Sequence, residues 1–260
     1  MPRAVTIRGV KRQCPKEVMT PKPLASQMGI YPLPASDPRV REALFTFREA
    51  AAYLRVPLST LSYWTRHARS AGGTMLVTGF PAESGVPSLP FVGLAEAYVL
   101  AAFRKAGVPI RRITPALEKL KEDVGLEYAL ASGHLYTDGV EVLFDYASQA
   151  DEHAARTLAE SRSGQVVLRP IVSEYLRRIQ WDAHGWPERL HLPGFSVADV
   201  IVDVRRAYGR PLVVRGDARV EDLVGRWRGG DSLADIATDF GVPPEEVEDV
   251  VRVGIQSRAA

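Results

Sequence analysis

Two short apolar periods meeting at Arg55-Val56-Pro57 constrain this chain more than any other stretch. In FREAAAYLRVPLSTLSYWTRHAR, residues 47–69, the residues Ala50, Ala51 and Leu54, and then Leu61 and Trp64, recur at helical spacing. Thr46 is placed to cap the first helix, with Glu49 at capping-box distance. Pro57 disfavours α geometry at Val56 and starts a helix well. The first helix is therefore expected to end near Arg55, and the second to run to about Ala68, before Gly72-Gly73. Such a pair is either a core hairpin or a DNA-reading helix–turn–helix. The second option needs a small residue at the crossing, a tight turn and a polar outer face on the second helix. Ala50 or Ala51 supplies the first, and Arg55-Val56-Pro57, with Val56 as an apolar plug, the second. Ser59, Thr60, Ser62, Tyr63, Arg66 and His67 are expected to face outward. Hydroxyls reach phosphates or bases, and an arginine can fork onto guanine or a phosphate.

Downstream, Thr74–Gly79 and Pro87–Val92 read as the strands of a hairpin, followed by helices over Leu94–Lys105 and Ile110–Val124. The order FREAAAYLRVPLSTLSYWTR, hairpin, LAEAYVLAAFRKAGVPIRRITPALEKL resembles the MerR-type winged helix–turn–helix domains, over about residues 45–124. The resemblance implies that Ser59, Thr60, Ser62 and Tyr63 read bases and that Arg66 and Arg69 clamp the backbone. It also puts Arg111 and Arg112 near flanking phosphate. Thr74–Val92 holds no Lys or Arg, so such a wing would touch DNA through hydroxyls and backbone N–H groups. The long coiled coil and cysteine effector site of typical MerR regulators are missing, and Cys14 is the only cysteine. Metal sensing is not supported, and a lone cysteine leaves no internal disulfide.

Charge is distributed in the same sense. Residues 1–40 carry +5 and 41–125 carry +4, whereas 126–215 carry −2 and 216–260 carry −5. A basic front suits a polyanion, and an acidic tail does not. Residues 1–40, with seven prolines, read as an extended or disordered arm. No apolar run is long enough for a membrane span, and the basic start lacks a signal-peptide apolar region. A cytoplasmic setting is expected.

In the middle, His134–Thr137 and Val140–Tyr146 flank Asp138-Gly139, a hairpin signal. Gln165–Leu168 is a strand candidate, Val172–Ile179 reads as helical, and Glu188–Leu192 as a weak strand. Trp181 and Trp186 read as packing anchors.

The tail carries the most specific pattern. Val197–Val204 and Arg210–Gly216 bracket a turn, and three helices follow over Val220–Trp227, Leu233–Phe240 and Pro244–Val253. Ser232 can cap the second of these. Leu233, Ile236, Ala237, Phe240, Val242, Val247 and Val251 would form their core. The last helix offers Glu245, Glu246, Glu248 and Asp249, a face that phosphate repels. This unit has helix–turn–helix shape without DNA-binding chemistry, so protein contact is the expectation. The residues Gly209-Arg210-Pro211, Arg219-Val220, Asp222-Leu223, Ile236-Ala237 and Asp239-Phe240 are similar to a short tri-helical domain of formerly unknown function. Such domains occur in antitoxins encoded beside PIN-domain ribonuclease toxins. Combined with the MerR-like front, the chain resembles the larger VapB-type antitoxins of type II toxin–antitoxin systems.

The five histidines show no metal-helix spacing, and no phosphate-cradling or nucleophile-elbow motif occurs. No enzyme, cofactor or metal is expected. The expected fold is α+β, mainly α: arm 1–40, winged helix–turn–helix 41–125, β-containing middle 126–192 and tri-helical tail 193–260. The expected function is an antitoxin that neutralises a PIN-domain toxin and represses its own operon. It would bind operator DNA as a homodimer, because a single reading helix makes few base contacts. Arg205, Arg206, Arg210 and Arg215, together with Glu245 and Glu246, are the candidate toxin-contact residues. The alternative is a free-standing MerR-like regulator with a small-ligand or protein effector.

Overall fold

The computed structural model describes residues 31–71, 75–81, 83, 85–108, 110, 113–115, 117–118, 121, 125–133 and 175–257, without the side chains of 66–71. The expected hairpin at 134–146 and the strand at 165–168 lie outside them. So do Arg111, Arg112 and the side chains of Arg66, His67 and Arg69.

A four-residue helix α1 (Pro38–Arg41) is capped by Asp37, whose side chain accepts the Arg39 amide. Helix α2 (Phe47–Leu54) starts from Thr46 with both halves of the capping box formed: the Glu49 amide donates to Thr46 and the Thr46 amide to Glu49. It stops at Arg55, which takes the left-handed conformation at φ 53°. Helix α3 (Leu58–Ala71) then begins directly after Pro57 and runs three residues past Ala68, to the edge of Gly72-Gly73. Val56 is buried, as a plug requires.

The two-stranded wing does not form among the described residues. Leu76 and Val77 are buried in succession, which is packing rather than strand alternation. The Thr78 amide, which a ladder would use, donates instead to the buried Glu96 carboxyl at 2.6 Å. Leu89 pairs with Phe45, ahead of α2, in an isolated antiparallel bridge. Helix α4 (Phe91–Lys105) begins three residues earlier than expected, since Phe91 and Val92 are fully buried and belong to its first turn. Gly93 lets the chain cross closely there, because a Cβ at that position would overlap the Thr78 carbonyl oxygen. Helical backbone follows at 110, 113–115, 117–118 and 121, with Leu117 inward.

The segment expected to stay helical to Ile179 turns into strand there. A five-stranded antiparallel sheet runs in chain order: β1 (Ile179–Trp181), β2 (Pro187–His191), β3 (Val200–Asp203), β4 (Leu212–Val213) and β5 (Ala218–Arg219). Trp186 is buried, and its indole N–H donates to the Tyr31 carbonyl. The pairing of β2 with β3 joins residues on either side of position 192.

Three helices close the chain: α5 (Val220–Arg228), α6 (Leu233–Phe240) and α7 (Pro244–Gln256). Ser232 accepts the Asp235 amide and caps α6. Ile236, Val242, Val247, Val250 and Val251 are buried between them. The architecture is α+β, with helices at both ends of a small sheet, and one continuous apolar core runs through the described chain.

Candidate nucleic-acid and partner interfaces

Helix α3 has one face committed to the core. Leu61, Ser62, Trp64 and Thr65 are all buried, and the Thr65 hydroxyl donates back to the Leu61 carbonyl. Ser62 is therefore not an outward reading residue: the buried stripe is wider than the spacing of Leu61 and Trp64 implied. Ser59 and Tyr63 are exposed, Tyr63 by 49%. Arg66 follows one turn later on the same stripe by helical spacing. Thr60 is half-buried, and its hydroxyl accepts a 2.9 Å hydrogen bond from Arg104 at the end of α4.

The turn between the two helices is fixed from outside. Arg55 donates to the Gly194 carbonyl at 3.3 Å and to the Ser196 hydroxyl at 2.6 Å. The Gly194 amide donates to the Tyr53 carbonyl at 2.7 Å, and a Cβ on Gly194 would come within 2.6 Å of the Ala52 oxygen. Phe195 stacks on Tyr53 with ring centroids 5.8 Å apart. The loop at 194–198 is held in turn by Asp249, whose carboxylate accepts the amides of Ser196, Val197 and Ala198 at 2.7, 2.7 and 3.1 Å. Burial pushes the Asp249 carboxyl up, but these N–H groups and Arg252 outweigh it and hold it below the usual range. Asp249 was expected on the outer acidic face of α7. It is buried instead, because three amides converge on it.

Arg210 also departs from its expected place among the outward arginines. It donates to the Leu44 carbonyl and to Glu49 and Glu221, at 3.2 and 3.3 Å for the carboxylates. It thus ties the entry of α2 to α5. The others stay at the surface. Arg205 is mostly exposed and pairs with Glu188, Arg206 pairs with Asp217, and Arg215 reaches Glu246 at 3.5 Å. Glu245 is exposed and Glu246 half-buried.

Between β3 and β4, where a turn was expected, the chain makes a tip whose Tyr208 the sequence reading did not single out. Ala207 and Tyr208 both take positive φ, 48° and 54°, and Tyr208 is 92% exposed. An aromatic side chain held out in water on a left-handed backbone has no packing role, and Arg205 and Arg206 stand beside it in sequence. The signal available was Arg-Arg-Ala-Tyr-Gly in a turn too short to bury a tyrosine.

Among the described residues no group of His, Cys, Asp or Glu could hold a metal ion, and no helix is long and apolar enough to cross a membrane. His191 meets Asp199 at 2.8 Å in a solvated pair.

Comparison with known proteins fits this geometry. Residues 43–117 match the family described as "Putative DNA-binding HTH domain". The chain is 40% identical over 221 residues to "Putative antitoxin VapB45" of Mycobacterium tuberculosis, covering 80% of this chain and 92% of that protein. It also resembles the crystal structure of Rv2018 from Mycobacterium tuberculosis, with 36% identity and a TM-score of 0.63, covering 82% of this chain and 99% of that one. A helix–turn–helix braced by an acidic tri-helical tail, with identity sustained across both, makes this chain a member of the VapB45 family of VapB-type antitoxins.

Proposed function

We propose that this protein is a non-enzymatic antitoxin that neutralises a PIN-domain ribonuclease toxin and represses its own operon. The observation that carries the DNA half is the division of α3. Leu61 and Trp64 anchor it, while Ser59 and Tyr63 stand in solvent ahead of Arg66. Operator DNA would meet that stripe, with Arg69, Arg111 and Arg112 on flanking phosphates and Thr60 at the edge. The protein acts as a homodimer, since one such helix reads too few bases for an operator. The units are the arm at 1–40, the reader at 41–125, the middle at 126–192 and the tail at 193–260.

For the toxin half, the exposed tip at Arg205, Arg206 and Tyr208 supports a protein contact. Tyrosine and arginine dominate the energetics of protein interfaces. Arg215, which pairs with Glu246, and Glu245 are further candidates for that contact. The test is co-purification of the tagged full chain with the product of its neighbouring gene. A small PIN-domain protein is expected in fixed ratio with the wild type and lost with Tyr208→Ala plus Arg205→Ala. Operator binding should survive those changes and fall with Tyr63→Ala. No partner alongside retained operator binding would leave a free-standing regulator.

A further inference from the structure

Beside the helix–turn–helix turn lies a partly open cavity of about 590 Å³, within the range of small-molecule sites. Its walls come from the turn, from the last part of α4 and from the residues around β1. Four cations line it, Arg55, Arg104, Lys105 and Arg178, and among the described residues no carboxylate does. Gathering like charges in a concave, partly apolar wall raises the local potential.

Three of these cations have neutral partners. Arg55 meets the Gly194 carbonyl and the Ser196 hydroxyl, and Arg104 meets the Thr60 hydroxyl. Lys105 sits 5.2 Å from the Tyr175 ring centroid. Several described arginines elsewhere behave differently: Arg39, Arg189, Arg206, Arg219 and Arg226 each hold an acid. Among the described residues no ion pair reaches the four in the cavity. The inner wall is aromatic. Tyr98 donates its hydroxyl to the Tyr175 carbonyl at 2.9 Å, and the two rings lie 5.4 Å apart at 33°.

A cationic rim over an aromatic wall suits a flat organic anion. We propose that this cavity binds a small phosphate-bearing organic molecule of mononucleotide size. Arg104, Lys105 and Arg178 take the phosphate, and the half-buried Tyr175, backed by the buried Tyr98, lies against the ring. Charge-assisted hydrogen bonds to arginine suit a phosphate monoester. None of its lining residues belongs to the proposed toxin contact, and the site goes beyond the antitoxin reading. It also touches the reading helix, because Arg104 holds Thr60 in the first turn of α3. A phosphate that draws Arg104 away frees Thr60, so occupancy alters operator affinity.

The test is calorimetric titration of the full chain with AMP, and with adenosine as the uncharged control. One saturable AMP site is expected, with adenosine weaker by about tenfold or more. Lys105→Ala with Arg178→Ala should weaken AMP by about tenfold or more while the melting temperature holds. Arg178→Gln alone, a milder change, should weaken it in the same direction. No saturable binding up to about 10 mM AMP overturns the proposal. So does AMP binding unchanged in both variants, or inorganic phosphate binding as tightly as AMP. If the protein takes no AMP but the double variant loses operator affinity, the four cations are a DNA backbone clamp and the proposal falls.

Discussion

Glu96 is a carboxyl in an apolar wall. It is buried on α4, accepts the Thr78 amide, and burial pushes its pKa up to about 8. An acid whose folded pKa lies above its unfolded value binds more protons when folded. Its contribution to stability is therefore greatest below the unfolded value and is lost as pH rises toward 8. Glu96→Gln keeps an acceptor for Thr78 and removes the titration. The variant is expected to match wild type below pH 4.5 in urea unfolding and to exceed it increasingly from there to about pH 8, the window bounded by the ordinary and raised values. A constant difference across that range would rule out the buried carboxyl as the source. Gly93 sits opposite. Gly93→Ala should cost about 2–4 kcal/mol, read as a lower urea midpoint, because its methyl overlaps the Thr78 carbonyl.

At the scale of elements, the sequence was clear wherever a local rule decided the outcome. Thr46 and Glu49 set the start of α2, Pro57 the start of α3, and Ser232 the start of α6; the helices begin there, and the Thr46 and Ser232 caps form. The reading failed where a distant side chain decided. A strand over Thr74–Gly79 satisfies local propensity, but Glu96 takes the amide at Thr78, 18 residues away. Asp249 looked like one more exposed acid until the amides of 196–198 came to it from over 50 residues away. Ser62 was misjudged because a stripe two residues wide, Leu61-Ser62 and Trp64-Thr65 on either side of exposed Tyr63, cannot be separated from a narrow one by spacing alone. The charge division between elements gives its own prediction. Arg66→Ala should weaken operator binding and lower the slope of log affinity against log salt by about one. Glu245→Ala with Glu246→Ala should leave both unchanged in anisotropy titrations. The reverse result would exchange the roles of the two helical units.

At the scale of the molecule, front and tail are joined by polar contacts set into one apolar core. Arg210 spans them, meeting the Leu44 carbonyl and Glu49 on one side and Glu221 on the other. Glu49 is buried, and removing Arg210 takes a cationic partner from it. Arg210→Ala is expected to cost about 3 kcal/mol and to split thermal unfolding into two transitions in calorimetry. A single transition at the wild-type temperature would mean the apolar contacts suffice. None of these long-range pairs was legible beforehand, since residues 44 and 210 share no local pattern.

The seating of Gly194 against the backbone of Ala52 and Tyr53 has a consequence for descent. The reader's own turn is completed by Ser196, and that loop is held by Asp249, near the end of the chain. Recombination that replaced the front with another DNA reader would have to bring matching residues at 194–198 and at 210. On the proposed function, the helix that chooses the operator is interleaved with the tail, so new specificities would arise by substitution along α3 more readily than by exchange of whole modules.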